Sequence, residues 1–343
     1  MTVVVKLGST LVVDGRGRVR RSLLRARATE VAELVRGGER VCVVSSGAIA
    51  LGLAELGLAR RPKATPQLQA ASAVGQGRLQ AAWAAAFAPL GTAQVLLSAA
   101  DVADRTSYVN LRNAFDALLR LGRVPIVNEN DATATDEITF GDNDALAAHT
   151  ALLVRARLLV LLTEVEGVYS EHPATEGARL LAEGDAVAGA AIGPSTDLGR
   201  GGMASKIAAA QLAAGSGVPT VVASGRGADV LGPIAAGERR GTRFRADESG
   251  DSAFRLWLRH AKPAAGRIVV DAGARKALVE DGRSLLAVGV VGCDGTFVPG
   301  DAVELAGPDG SVFAKGIASA GASELAGRPR GLEAVHRDRL VLY

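Results

Sequence analysis

Six short runs along the chain are apolar at nearly every position: Val3–Leu7, Val41–Ser45, Ala93–Leu97, Val124–Asn128, Leu158–Thr163 and Thr220–Ala223. A strand with one wet face alternates apolar and polar residues, whereas a strand covered on both faces does not. These Val- and Leu-rich runs therefore predict a parallel sheet buried between two layers. The stretches Leu23–Gly37, Pro66–Phe87 and Leu111–Leu121 repeat their apolar residues at intervals of three and four, and Gly or Pro often follows. That spacing predicts helices with one buried stripe. Strand and helix alternate, so the expected fold is a doubly wound α/β/α sandwich.

The pattern changes near residue 247. Residues 247–262 read as a linker, and after Gly266 the apolar runs are short and separated by turn residues. The runs are Arg267–Val270, Leu285–Val291, Ala302–Leu305, Val312–Ile317 and Arg339–Leu342, with turns at Cys293-Asp294-Gly295-Thr296 and Gly307-Pro308-Asp309-Gly310. This predicts a small β-barrel-like module over 263–343, after an α/β domain over 1–246.

Polar clusters interrupt the apolar runs where they end. Lys6-Leu7-Gly8-Ser9, Ser45-Ser46-Gly47-Ala48 and Asn128-Glu129-Asn130-Asp131 follow Val5, Val44 and Val127. In open α/β sheets ligands bind beyond the carboxyl ends of the strands, so these clusters are expected to converge. Lys6 is costly if buried unpaired, and a phosphate would remove that cost; it equally suits the solvent end of a strand. Ser45 and Ser46 suit an anion, or simply a helix cap. Asn128–Asp131 and Gly141-Asp142-Asn143-Asp144 read either as a metal- or amine-binding pocket or as acid-capped turns, the second group opening a helix.

Gly199-Arg200-Gly201-Gly202-Met203-Ala204-Ser205-Lys206 leads into a helical run over Ser205–Gly215. Its form fits G-x-G-x-x-[GA], but the preceding Ile192–Leu198 is polar and contains Pro194, so no strand feeds it and a dinucleotide fold is excluded. There is no P-loop lysine motif either. What remains is a glycine-rich loop at a helix start, suited to a phosphate within reach of Lys206, or an ordinary surface loop.

Composition narrows the chemistry. Of 39 Lys plus Arg in 343 residues only six are lysines, yet Lys6 and Lys206 sit in two glycine clusters. A compact ammonium differs from a guanidinium, and its selective use there suggests a need for one. A net charge of +3 is weakly basic and gives no reason to expect nucleic acid. No apolar run approaches the roughly 18 residues that span a bilayer, and Met1–Lys6 enters a strand directly, without the features of a signal peptide. Cys42 and Cys293 form neither a disulfide framework nor a metal site, which fits a reducing cytoplasm. His149, His172, His260 and His336 have no metal spacing and no nucleophile partner, so each reads as surface or structural.

Taken in order, Lys6-Leu7-Gly8-Ser9, Ser46-Gly47-Ala48-Ile49-Ala50, Asn128–Asp131, Gly141–Asp144 and Gly201-Gly202-Met203-x-x-Lys206 resemble the motifs of the glutamate 5-kinases, in the amino-acid kinase family. From Gly266 onward, Ile268-Val269-Val270-Asp271-x-Gly273-Ala274 and Ala334-Val335-His336-Arg337-Asp338 resemble a PUA module. The resemblance covers nearly the whole chain. It implies ATP-dependent phosphorylation of the L-glutamate side-chain carboxylate to L-glutamyl 5-phosphate, the opening step of proline biosynthesis. It implies that Lys6 and Lys206 hold the transferring phosphoryl group, with Asp144 orienting them. Ser46, Asp131 and Asn143 would bind glutamate. Thr163, Glu164 and the loop Arg200, Gly201, Gly202, Met203, Ala204, Ser205 and Lys206 would hold ATP, with Mg²⁺ carried mainly by the ATP phosphates. Inhibition by proline and homo-oligomers formed through the kinase domain are further implications. The chain departs from the family at Glu164, usually Asp, and at Arg200, usually Thr.

Kinases of aspartate, N-acetylglutamate or uridylate are the nearest rivals, and the paired Asn/Asp clusters with the C-terminal module favour glutamate. PUA modules elsewhere bind RNA. Residues Pro263–Tyr343 hold nine Lys plus Arg against ten Asp plus Glu, a balance that disfavours RNA binding here.

Overall fold

The computed structural model describes residues 1–58, 60–133, 143–189, 202–247 and 252–343. The chain divides into two compact units, Met1–Gly250 and Asp251–Tyr343.

The first unit is built on a seven-stranded sheet in the order β3-β4-β2-β1-β5-β6-β7. Its strands are β1 (Thr2–Leu7), β2 (Arg40–Ser45), β3 (Thr92–Leu97), β4 (Val124–Glu129), β5 (Leu158–Thr163), β6 (Thr220–Ser224) and β7 (Thr242–Phe244). Every pairing is parallel except that of β7 with β6. β1 lies between β2 and β5, and all six of its residues are buried, which is why its sequence never alternates.

Side chains nonetheless alternate in space. Val3, Val5, Leu7, Val41, Val43, Val124, Ile126 and Val160 share one core with Leu24, Ala28 and Val31 of the Arg21–Arg36 helix and with Leu79 and Trp83 of the Thr65–Ala86 helix. The opposite parity, which includes Val4 and Lys6, faces away from that core. The Asn143–Leu153 helix packs against β1, β2, β4 and β5, and the Met203–Gly215 helix against β5 and β6. The result is the expected α/β/α sandwich.

Two helices meet at unusually short range. An added Cβ on Gly75 would lie 1.9 Å from the Ala48 carbonyl oxygen, and one on Gly52 would lie 1.7 Å from that of Ala71. Glycine at both positions lets the Ala48–Glu55 and Thr65–Ala86 helices touch backbone to backbone.

The second unit holds a six-stranded sheet, β10-β8-β11-β12-β13-β9. These strands are β8 (Ala264–Val270), β9 (Leu285–Leu286), β10 (Val290–Gly295), β11 (Ala302–Ala306), β12 (Val312–Ala318) and β13 (Glu333–Leu342). All neighbours are antiparallel except β11 with β8. Ile268, Val270, Leu305, Ala334 and Val335 lie in its own core.

Several expectations change in detail. Leu285–Val291 is not one strand: a 3₁₀ turn at Ala287–Gly289 separates β9 from β10. β13 begins at Glu333, well before Arg339. Residues Ala253–Ala261, read as linker, are helical, with Leu256, Trp257 and Leu258 buried. β7 went unread because three residues carry too little pattern.

Candidate active site

The parity of β1 turns Lys6 toward the face covered by the Asn143–Leu153 helix, whose first turn carries Asp144. Lys6 Nζ lies 2.5 Å from Asp144 Oδ1, and Lys206 Nζ lies 3.0 Å from Oδ2. Lys206 reaches it from the first turns of the Met203–Gly215 helix. The Asp144 side chain is 0% exposed, and the two lysines are 4% and 9% exposed. Burial alone would raise the Asp144 pKa, but the Lys6 and Lys206 ammonium groups outweigh burial and hold the carboxyl below its ordinary value. Two cations on one anion leave a surplus positive charge in a dry place. Ser205 Oγ also lies 3.0 Å from Asp144 Oδ2 and 3.0 Å from the Gly202 carbonyl oxygen.

Helix starts reinforce that charge. The first residues of the helices from Asn143 and Met203 meet at Asp144, and the helix from Ala48 begins two residues after Ser46, which bonds Asn143. Helix N-termini present free N–H groups and partial positive charge, so the region favours an anion. At Gly47 the chain turns into the first of these helices with φ 120°, a conformation open to glycine.

On the other side of Asn143 lies a second polar group. Asn143 Nδ2 donates to Ser46 Oγ and to Asn128 Oδ1, both at 2.9 Å. Asn128 Nδ2 donates to Gln76 Oε1 at 2.7 Å, and Ser72 Oγ donates to Asp131 Oδ2 at 2.5 Å. Gln76 and Ser72 belong to the Thr65–Ala86 helix, four residues apart and therefore on one face. Neither was singled out from sequence. The available signal was a polar i, i+4 pair inside an otherwise alanine-rich helix.

Of the residues picked from sequence, the structure brings Lys6, Lys206, Asp144 and Ser205 together at one carboxylate. Ser46 and Asn143 are directly bonded, and Asp131 joins through Ser72. Thr163 closes β5, the neighbour of β1, and Glu164 pairs with Arg226 beyond the end of β6. Gly202, Met203 and Ala204 form the start of the Lys206 helix. Arg200 and Gly201, like Gly141 and Asp142, lie outside the described residues. Partly buried His149 has its imidazole pushed down to about 4 by burial, so it is neutral near pH 7.

Among the described residues a divalent cation finds no ready cage. Asp144 has a lysine on each oxygen, and no group of three His, Cys, Asp or Glu residues is placed to hold a metal among the described residues. The residues present instead suit a ligand that brings its own negative charge.

Known proteins match this chain in sequence and in fold. The Amino acid kinase family model matches residues 1–224, and the PUA domain model matches residues 266–337. A glutamate 5-kinase of Cupriavidus metallidurans is 44% identical over 365 residues, covering 99% of this chain and 97% of that one. A glutamate 5-kinase of Methylobacillus flagellatus is 42% identical over 361 residues, with the same two coverages. Among solved structures, carbamate kinase from Giardia lamblia bound to AMP-PNP superposes with a TM-score of 0.52 at 16% identity, over 72% of this chain and 98% of that one. An isopentenyl phosphate kinase superposes with a TM-score of 0.51 at 20% identity, over 71% of this chain and 100% of that one. The structural likenesses show the fold, and identity of 42–44% over almost the whole chain shows the family: the chain belongs to the amino acid kinase family, among the glutamate 5-kinases.

Proposed function

We infer that this protein transfers the γ-phosphoryl group of ATP to the side-chain carboxylate of L-glutamate, giving L-glutamyl 5-phosphate and ADP. The observation that carries this reading is Asp144 held between two buried lysines beside the hydrogen-bonded amides of Asn143, Asn128 and Gln76. A glutamate side chain has a reference pKa near 4.3 and is already an anion at pH 7, so no general base is required. Phosphoryl transfer then needs alignment and stabilisation of spreading negative charge. Lys6, on central strand β1, and Lys206 supply that charge, and Asp144 fixes where their ammonium groups point.

Ser46, Asn143 and Asp131 are proposed to hold glutamate. Thr163, Glu164 and the stretch Arg200, Gly201, Gly202, Met203, Ala204 and Ser205 are proposed to hold ATP. Magnesium would arrive on the phosphate oxygens of ATP and add charge neutralisation there. The resemblance to the family further supports inhibition by proline, assembly into homo-oligomers and a place in the cytoplasm; no helix among the described residues is long and apolar enough to cross a membrane.

The test is hydroxamate formation when purified protein, ATP and Mg²⁺ are mixed with L-glutamate and hydroxylamine, with aspartate and N-acetylglutamate run in parallel. Product from glutamate alone is expected. Product only from another acid would overturn the substrate.

A further inference from the structure

The second unit carries a cavity that the phosphoryl chemistry does not use. Its volume is about 500 Å³, within the roughly 300–1,000 Å³ of small-molecule sites. Three elements wall it: the helical stretch Ala253–Ala261, the end of the Ala272–Val279 helix with the turn after it, and the last residues of β13. Among the described residues in that wall stand four arginines, Arg255, Arg259, Arg283 and Arg337, against one carboxylate, Asp338. Arginine keeps its charge at any ordinary pH, so the wall is strongly positive. Local ion pairs offset little of this. Arg283 Nε stands 4.0 Å from Asp281, and Arg337 Nε stands 3.8 Å from Asp338, both beyond hydrogen-bond range and open to water.

The frame behind these arginines is held by its own bonds. Trp257 and Leu258 are buried beside Arg259, whose guanidinium donates to the Leu342 carbonyl oxygen. The Arg283 N–H donates to the Ala277 carbonyl oxygen, and the Arg337 N–H donates to Ser284 Oγ, which ties the turn after the helix to β13. Like charges are therefore built around one space by the backbone. The rest of the wall is apolar, with Leu278, Leu340 and Val341 all buried.

That mixture selects a ligand. Guanidinium groups grip phosphate oxygens two at a time and stack on flat rings. An inorganic anion would use the charged part of the wall and waste the apolar part. A polynucleotide would run on past the cavity, where the charge is wrong: without Arg283, Arg337 and Asp338, residues Pro263–Tyr343 keep seven Lys plus Arg against nine Asp plus Glu. We propose that this cavity binds a small organic phosphate of the nucleoside di- or triphosphate class, with its phosphates on the four arginines and its base against Leu278, Leu340 and Val341. The site lies wholly in the second unit, so it stands whether or not glutamate is the phosphoryl acceptor.

The test is equilibrium dialysis of the full-length protein against labelled ATP and, separately, labelled GTP, which counts sites per chain. The parent is compared with the double variant Arg283→Gln, Arg337→Gln. These side chains are 76% and 65% exposed, so the exchange empties no core. For ATP or GTP, the double variant should bind one fewer nucleotide per chain, or bind it at that site about 10- to 100-fold more weakly, as loss of charge-assisted bonds does. Tripolyphosphate, which has no base, should bind there about 10-fold or more weakly than the nucleotide. Hydroxamate formation at saturating ATP should stay within about 3-fold of the parent. Arg337→Gln alone carries the test if the double variant does not fold. An unchanged number and affinity of sites for both nucleotides overturns the proposal. So does tripolyphosphate that binds as tightly as the nucleotide, which would leave an adventitious anion only. Single-stranded RNA held by these arginines in a parent whose second unit takes neither nucleotide would overturn it in favour of a polymer.

Discussion

Asp144→Asn removes one charge and keeps nearly the same shape, so its consequences follow from electrostatics. The parent balances two buried lysines against one buried carboxylate; the variant leaves two ammonium groups on a neutral amide with little water nearby. Removing one partner of a buried pair costs about 3–5 kcal/mol. A separate bound agrees, because a stranded lysine can escape by losing its proton. For a reference lysine near pKa 10.4, that costs about 4.6 kcal/mol at pH 7. At about 2–4 °C per kcal/mol for a domain of this size, the melting temperature should fall by roughly 6–20 °C. Calorimetry of the full-length chain at pH 7 measures this directly.

The pH dependence tests the cause. At pH 9.5 deprotonating a reference lysine costs only about 1.2 kcal/mol, so the gap between parent and variant should narrow. In the parent the sign is opposite and lies at acid pH. The Asp144 pKa is depressed by folding, so its contribution is fully present above the ordinary carboxylate range and is lost as pH falls through the folded value. Equal melting temperatures at pH 7 would refute the reasoning. A gap that stays constant from pH 7 to 9.5 would do the same, since a packing defect does not titrate.

Other expectations follow from the same geometry. Lys6→Ala and Lys206→Ala should each lower kcat by about 10²-fold or more, as loss of transition-state charge stabilisation does, and near-parent turnover in either would remove it from the phosphoryl site. Gly75→Ala drives a methyl into the Ala48 carbonyl, so it should cost at least about 1–3 kcal/mol in denaturant unfolding, and a neutral result would show that the two helices can part freely. Arg27→Met should destabilise by about 3–5 kcal/mol, because Arg27, 1% exposed, neutralises buried Glu30 and bonds the Gly227 carbonyl. Adding Glu30→Gln should recover part of that loss, and no recovery would mean the pair acts only through packing.

The central strands of the first unit were legible because both faces of the sheet are covered there, which leaves an unbroken apolar run with nothing to mistake for a helix. That also made the site's location legible, since polar residues closing buried strands have few other places to go. The pairing of Lys6 with Asp144 was legible only through the resemblance to the glutamate 5-kinases. The residue pattern alone shows a lysine and several acids, and without the resemblance it takes the parity of β1 and the placement of the Asn143–Leu153 helix to select one acid. Gln76 was hidden for a related reason: a buried glutamine and an exposed one look alike until a partner such as Asn128 is placed beside it. In the second unit, Ala287–Gly289 is as apolar as its flanks, so the break between β9 and β10 leaves no mark on the pattern. The Ala253–Ala261 helix was masked by a preceding run of small and acidic residues that resembles a spacer.

The central position of β1 has a consequence for how the chain comes into being. Thr2–Leu7 leaves the ribosome before both of its neighbours, for it pairs with β2 on one side and β5 on the other, and β5 starts only at Leu158. At about 5–20 residues per second, the intervening chain takes on the order of ten seconds to synthesise. For that time one edge of an apolar strand has no mate, and Lys6 precedes its counter-ion Asp144. Long-range parallel pairing is slow even after synthesis ends, because a large loop must close before any contact repays the lost entropy. The nascent chain is therefore most exposed to aggregation before β5 is made, and a holdase that covers residues 2–7 until then should raise the folded yield more than one acting later.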